Sequence, residues 1–342
     1  MMIIDSNIYW LPSRLFTEED FLKRFLRAVP RVYGTNAFVK KSHNGEKKEI
    51  IIERPKGFPS LNYIENEYLL EKQLAEMEAA GVDQGILKLP GCQEWLTLEL
   101  CKMFHDEMYE HVKNSDGKLK GLAVLPPIVD EECLKELERA INELGFVGFQ
   151  MSAHYGEVYL DDEMFKPLFK KINEMKIPIY VHHTPVPVEF DYLYEYNNLR
   201  RSYGRCIDQG IAIGREIFSG LFEEYPNLIM IHSMLGGGFF AQKNLLFPKQ
   251  SGQGRFEANN SKYENYLKNN IFFEMSHAQP WGKKQLECAV EVLGADNIIY
   301  GSSYPVNSEW FLGGSKFVAD LDISDEEKRK ILSENVRRIY KF

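Results

Sequence analysis

The sequence predicts an α/β fold: a (β/α)8 TIM barrel with a long insertion after its first strand. Three observations lead there. Eight short β-branched runs occur, each followed by a segment with helical periodicity. The runs are apolar almost without interruption, as strands buried on both faces of a parallel sheet are. The glycine signatures of a doubly wound open sheet, the structural alternative, are missing: no GxGxxG follows the first strand and no GxxxxGK(S/T) occurs.

The elements follow in order. Strand 1 is MIID at 2–5, and Asn7, Tyr9 and Trp10 come directly after it. Residues 11–65 are a long excursion with a helix at 17–28 and a hairpin-like stretch, AFVKKSHNGEKKEIII, turning at Asn44-Gly45. The segment 66–80 places Leu70, Leu74 and Met77 on one helical face, and Gly81 stops it. Strand 2 is QGILKL at 84–89, strand 3 GLAVLP at 121–126. In 132–144, Leu134, Leu137, Ile141 and Leu144 share a face and Gly145 closes. Strands 4 to 8 are VGFQM at 147–151, IPIYVH at 177–182, LIMIH at 228–232, IFFEM at 271–275 and NIIYG at 297–301. Helices are expected at 163–175, 209–224, 283–293 and 325–340, the last opening on a Ser324–Glu327 capping box. The chain, 1–342, reads as one barrel domain with 11–65 as an insertion or lid.

Bulk composition narrows the function. A chain of 342 residues with 44% hydrophobic content can bury a large core. Its net charge of −9 argues against nucleic acid and anionic membrane as partners. No run approaches the roughly 18 apolar residues of a membrane span, and no secretory signal is evident. The five cysteines, Cys92, Cys101, Cys133, Cys206 and Cys288, are scattered and form no CxxC, which suits free thiols in a cytoplasmic protein.

In such a barrel the groups at the C-terminal strand ends converge on the mouth. Those groups are Asn7 and Tyr9, Lys88, Gln150 with His154, His182 and His183, His232, Glu274 and His277, and Ser302, Ser303 and Tyr304. Five of the eight histidines are among them, which makes the mouth the candidate site. Three long loops follow strands 1, 5 and 6 (11–65, 184–208 and 233–258), rich in aromatics and, in the second, in arginines at 200, 201 and 205. They read as a lid and pocket wall.

The sequence also resembles the amidohydrolase-related family, the branch of the amidohydrolase superfamily with aminocarboxymuconate-semialdehyde and resorcylate-type decarboxylases. The resemblance runs nearly end to end through IIDSN, GVDQGIL, LKGLAVLPP, ELGFVGFQM, IPIYVH, NLIMIHSMLGGGFF, LGADNIIYGSSYP and ISDEEKRKILSENVRRIY. It implies a barrel with one divalent metal held by an HxH pair on strand 1, a histidine on strand 5 and an aspartate on strand 8, with a strand 6 histidine as acid or base. His182 matches the strand 5 ligand and His232 the strand 6 histidine. The HxH positions hold Asn7 and Tyr9, and the aspartate position holds Ser303. Asn and Ser are poor ligands, and Tyr ligates only as phenolate.

No cofactor is therefore expected; the alternative is one divalent metal, zinc or manganese, on His182, His232 and His183, with His277 as a further recruit. Expected catalytic residues are His182, His232, Tyr9 and Ser303. Expected substrate-binding residues are Asn7, Lys88, His183, His277, Tyr304 and Trp10, with Lys88 and the loop arginines as counter-charge for an acid. The kit suits proton transfer at an activated carbon, and the resemblance points to a decarboxylase or other lyase acting on a small unsaturated or aromatic carboxylate. A lactone or amide hydrolase is one alternative, a non-catalytic binding barrel another. A homodimer or larger assembly is implied by the resemblance alone.

Overall fold

The computed structural model describes residues 2–30, 35–42, 45–248 and 260–342. Eight strands form one sheet: β1 (Ile4–Tyr9), β2 (Gln84–Lys88), β3 (Leu119–Ala123), β4 (Gly148–Ser152), β5 (Ile179–His182), β6 (Met230–His232), β7 (Ile271–Glu274) and β8 (Ile298–Ile299). Each is parallel to the next. The sheet closes on itself: the Ser6 amide donates to the Tyr300 carbonyl at 3.0 Å, the Tyr9 amide to that of Tyr304 at 2.8 Å, and Ile8 bridges Tyr304. Closure excludes the open-sheet alternative and makes this a (β/α)8 barrel.

Each strand is followed by a main barrel helix, with shorter helices between some of them: α1 (Leu70–Ala80), α2 (Leu98–Lys113), α3 (Glu131–Asn142), α4 (Lys166–Met175), α5 (Gly204–Phe218), α6 (Asn260–Asn269), α7 (Lys283–Leu293) and α8 (Ser308–Ala319). Gly81 ends α1 with φ +68°, the left-handed stop its position predicts. The helix expected over 209–224 starts earlier, at Gly204, and breaks before Leu221, where Gly220 turns with φ +85°. The Ser324–Glu327 capping box forms, yet 325–340 is not one straight helix, because a π turn at Lys330–Glu334 interrupts it.

The barrel interior is a single apolar layer of Ile4, Ile86, Leu122, Tyr180, Ile231, Phe272 and Ile299, with Val336, Ile339 and Tyr340 packed against it. These residues fix which strand positions point inward. The insertion packs on the barrel through its helix Glu19–Ala28: Phe21 and Phe25 lie 5.6 and 6.2 Å from Phe104 of α2. Its strands Asn36–Lys41 and Lys48–Glu53 pair antiparallel as the hairpin reading expects, although Asn44 of the expected turn lies outside the described residues. A third strand, Pro59–Ile64, was not expected; it extends this sheet towards the barrel mouth. Among the described residues no helix is long and apolar enough to cross a membrane.

Candidate active site

A layer of buried polar groups lies directly above the apolar interior. β1 begins two residues later than its apolar run suggests, and its pairing with β2 shifts register between Asp5 and Ile8. That bulge turns Asn7 inward. The Asn7 amide donates to Glu274 at 2.9 Å, to the Tyr180 hydroxyl at 3.1 Å and to Ser303 Oγ at 3.2 Å. Glu274 also accepts from Tyr180 Oη at 2.8 Å and from the Ser276 amide and hydroxyl at 2.5 and 2.7 Å. Asp5 accepts from the backbone N–H of Asn7 and from the backbone N–H and hydroxyl of Ser302. Lys88 stands in this layer fully buried, its Nζ 3.1 Å from the centre of the Tyr180 ring and without a hydrogen-bond partner among the described residues. Burial holds its amine well below the usual lysine range, against the pull of Glu274 and Asp5. Burial likewise raises the Asp5 carboxyl to about 6. Gly301 is required here, since a Cβ on it would stand 2.0 Å from Glu274 Oε1.

Above this layer opens a cavity of about 310 Å³. Tyr9, His182, His183 and His277 line its base, Ser60–Ile64 of the insertion sheet form one wall, and Arg201 and Arg205 of the loop after β5 also line it. Tyr9 Oη lies 3.0 Å from His182 Nε2, and His182 Nδ1 lies 2.7 Å from the His183 carbonyl. A carbonyl only accepts, so Nδ1 carries the proton and Nε2 accepts from the Tyr9 hydroxyl. The environment agrees with that neutral tautomer. Burial, then the nearby Lys88, pushes His182 well below the ordinary imidazole range, and burial with Glu274 pushes the Tyr9 phenol up. His183 stacks on His182 at 4.2 Å and meets Ser233 Oγ at 3.2 Å through Nδ1. Burial, then His182, lowers it too. His277 sits in a left-handed conformation, φ +65°, uncommon for a non-glycine residue. Its ring is 4.8 Å from Trp310, and burial, then Arg205, lowers its pKa to about 3. Arg205 itself falls to about 10 through burial and the neighbouring Arg201.

The structure separates the residues expected at the site. Tyr9, His182, His183 and His277 meet at the cavity. Asn7, Ser303 and Lys88 lie in the layer beneath it and touch the site through Tyr180, Glu274 and one another. His232 does not join them. Ile231 belongs to the interior layer, so the alternation of a strand turns His232 outward. It is fully buried against α5, with Nδ1 2.8 Å from Gln209 Oε1 and Nε2 2.9 Å from Glu216 Oε2. The inward group at the end of β6 is Ser233. Trp10 is also displaced, packed edge-on against Phe104 and His111 at 6.5 and 5.5 Å. Tyr304 packs on Phe311 at 4.6 Å and does not line the cavity. His154 binds the Val186 and Gly156 carbonyls and Thr184, holding the start of the loop after β5. Ser233, Tyr180 and the Ser60–Ile64 wall were not anticipated. Tyr180 alone had a signal: it sits two residues before His182 and so shares its face.

A wider groove of about 1150 Å³ runs along the outside of α5 past Phe218, Phe240 and Trp281. Its ionisable pair, Arg215 and Asp161, is closed on itself at 2.7 Å, so the chemistry belongs to the barrel mouth.

Comparison with known proteins places this geometry. A sequence profile of the amidohydrolase family matches residues 72–342. A gamma-resorcylate decarboxylase from Rhizobium sp. strain MTP-10005 is 24% identical over 301 residues, 80% of this chain and 87% of its own. A 2-keto-4-carboxy-3-hexenedioate hydratase from Sphingobium sp. is 25% identical over 242 residues, 64% of this chain and 65% of its own. The fold matches, with a TM-score of 0.76 and 22% identity, that of 5-carboxyvanillate decarboxylase from Novosphingobium aromaticivorans, covering 100% of this chain and 96% of that one. That enzyme was crystallised with manganese and 4-hydroxy-3-methoxy-5-nitrobenzoic acid.

The manganese corrects the expectation that no cofactor is involved. That expectation rested on three substituted ligand positions and left uncounted the carboxylates of Asp5 and Glu274, oxygen donors of the kind manganese takes. The side chains as arranged here nevertheless do not fit a divalent ion. Among the described residues no group of three or more His, Cys, Asp or Glu is placed to hold one. Glu274 already accepts four hydrogen bonds, both nitrogens of His182 are engaged, and the amine of Lys88 stands in the same layer.

Proposed function

The chain belongs to the amidohydrolase family, and from that footing we propose that it is a carboxy-lyase, releasing carbon dioxide from a small aromatic or unsaturated acid. The observation that carries this reading is the Tyr9–His182 pair opening onto the same cavity as Arg205. The cavity is large enough for one substituted ring and lies at the barrel face where such enzymes work.

The neutral His182 is a base at rest. A substrate hydroxyl set against Tyr9 gives its proton to the Tyr9 oxygen, while the Tyr9 proton passes to His182 Nε2. The Nδ1–H bond to the His183 carbonyl holds the ring in place as it becomes cationic. Negative charge then builds in the ring, and the carbon bearing the carboxylate takes the proton back from the same relay. The bond from that carbon to the carboxylate breaks heterolytically, carbon dioxide leaves, and the electron pair returns to the substrate oxygen, which takes a proton from water. His183 and His277 border the reacting group as neutral imidazoles. Asn7, Ser303 and Glu274 keep Tyr9 and His182 in register from below.

The named activities of the resorcylate and carboxyvanillate decarboxylases support this reading. The hydratase relative supports a second one, because adding water across a double bond draws on the same relay. Product analysis separates them. The protein, as purified and supplemented with manganese chloride, is incubated with 2,6-dihydroxybenzoate, 5-carboxyvanillate and unsaturated keto-acids, and products are resolved by chromatography with mass detection. The expected product is the acid less carbon dioxide. A product that gains one water and keeps every carboxyl group selects hydration.

A further inference from the structure

The loop after β5 carries three arginines to the mouth, where they take different roles. Arg200 lies over the Phe58 ring at 5.1 Å and donates to Asn197 and to the Pro59 and Tyr194 carbonyls. It is a strut between the loop and the insertion. Arg201 and Arg205 line the cavity. Among the described residues Arg205 makes one long bond, from Nη2 to the Ser60 carbonyl at 3.5 Å, and its Nε is shielded from solvent with no acceptor. Among the described residues the one carboxylate in the cavity lining, Glu67, is turned to Lys47, at 3.0 Å, and to Lys72. Arg205 is therefore a partly buried guanidinium facing a cavity without a counter-ion among the described residues.

Withdrawing a guanidinium from water without an anion is unfavourable, and its planar fork matches a carboxylate edge to edge. The imidazoles around it are neutral, so none of them competes for the anion. We infer that Arg205 is the substrate-binding residue that receives the carboxylate through its terminal guanidinium nitrogens. This rests on the reading of the cavity as a carboxylic-acid site. It also assigns selectivity: Arg205 discriminates an acid from its neutral isostere, a task the long bond to Ser60 does not require.

Calorimetric titration tests the assignment with 2,6-dihydroxybenzoate and its methyl ester as probes, on the wild type and on the Arg205→Met, Arg205→Lys and Arg201→Met variants. Arg205→Met is expected to weaken the acid about 30-fold or more, in line with loss of a charge-assisted pair, and to leave the ester within about threefold. Arg205→Lys keeps the charge but not the fork and is expected to recover part of the loss. Arg201→Met is expected to weaken the acid less than Arg205→Met does. If Arg205→Met binds the acid as tightly as the wild type, or loses acid and ester alike, Arg205 is a strut and the assignment is overturned while the site reading stands. If the wild type binds neither 2,6-dihydroxybenzoate nor 5-carboxyvanillate, the carboxylic-acid reading fails and takes the assignment with it.

Discussion

Replacing Tyr9 by Phe isolates the proton relay. The hydroxyl makes a 3.0 Å bond to His182 Nε2, and the ring meets the imidazole edge-on at 5.7 Å, a contact that Phe keeps. A buried acceptor left bare costs about 1–3 kcal/mol. Because Nε2 borders the cavity, water can replace the donor, so the lower end applies, about 1 kcal/mol. For a chain of 342 residues that corresponds to a fall in Tm of about 1–2 °C. The effect on turnover is of another order. With no relay between substrate and His182, kcat is expected to fall about 10²–10⁴-fold. KM is expected to change little, because Tyr9 brings no charge to bind the acid. Steady-state loss of 2,6-dihydroxybenzoate by ultraviolet absorbance, with Tm by calorimetry, reads both numbers. A variant that keeps kcat within threefold of wild type while its Tm moves by 1–2 °C would refute the relay.

Other positions give separate checks. His232→Phe keeps the ring volume but strips the buried Glu216 carboxylate of its partner, so a loss of about 3–5 kcal/mol in urea unfolding is expected. The folded variant should keep kcat within about threefold, and a loss of 10²-fold or more would restore His232 to the chemistry. Gly301→Ala drives a methyl to 2.0 Å from Glu274 Oε1, and overpacking of this kind costs about 1–3 kcal/mol; an unchanged Tm contradicts the close approach. Asp5 is raised from 3.8 to about 6 in the folded protein, so its contribution is intact below about pH 4 and is lost as pH rises through 6. Asp5→Asn cannot ionise, and its stability relative to wild type should improve by about 3 kcal/mol between pH 4 and pH 8; a difference that does not change with pH rules this out.

The architecture was legible because apolar runs and helical faces alternate eight times and stop signals such as Gly81 and Ser324 act locally. The site was legible only in part, for reasons that particular residues make plain. LIMIH is apolar throughout, so nothing in it tells which residues face inward, and His232 could be placed only once Ile231 was seen in the interior layer. Trp10 follows β1 directly, but the alternation at the barrel rim turns its ring out into the helix layer, and Tyr304, beyond the left-handed Ser303, packs on Phe311 of α8. Lys88 does face inward, yet it is fully buried between the Tyr9 and Tyr180 rings, and depth inside a barrel leaves no periodic trace. Arg200 and Arg205 look equivalent in sequence. The π turn at Leu199–Tyr203 and the helix start at Gly204 send one to the insertion and the other to the cavity.

A carboxy-lyase working in this cavity removes a carboxyl group and leaves a proton in its place. Carboxyl-labelled ¹³C 2,6-dihydroxybenzoate in deuterated water, followed by NMR with the manganese-supplemented protein, tests it directly. Labelled carbon dioxide and bicarbonate are expected to grow as the acid disappears, with one deuteron on the carbon that bore the carboxyl group. Both signals should fall together in Tyr9→Phe. Acid that binds in the cavity and keeps its label over many protein equivalents, or label released at an equal rate by Tyr9→Phe, would rule out decarboxylation through this relay.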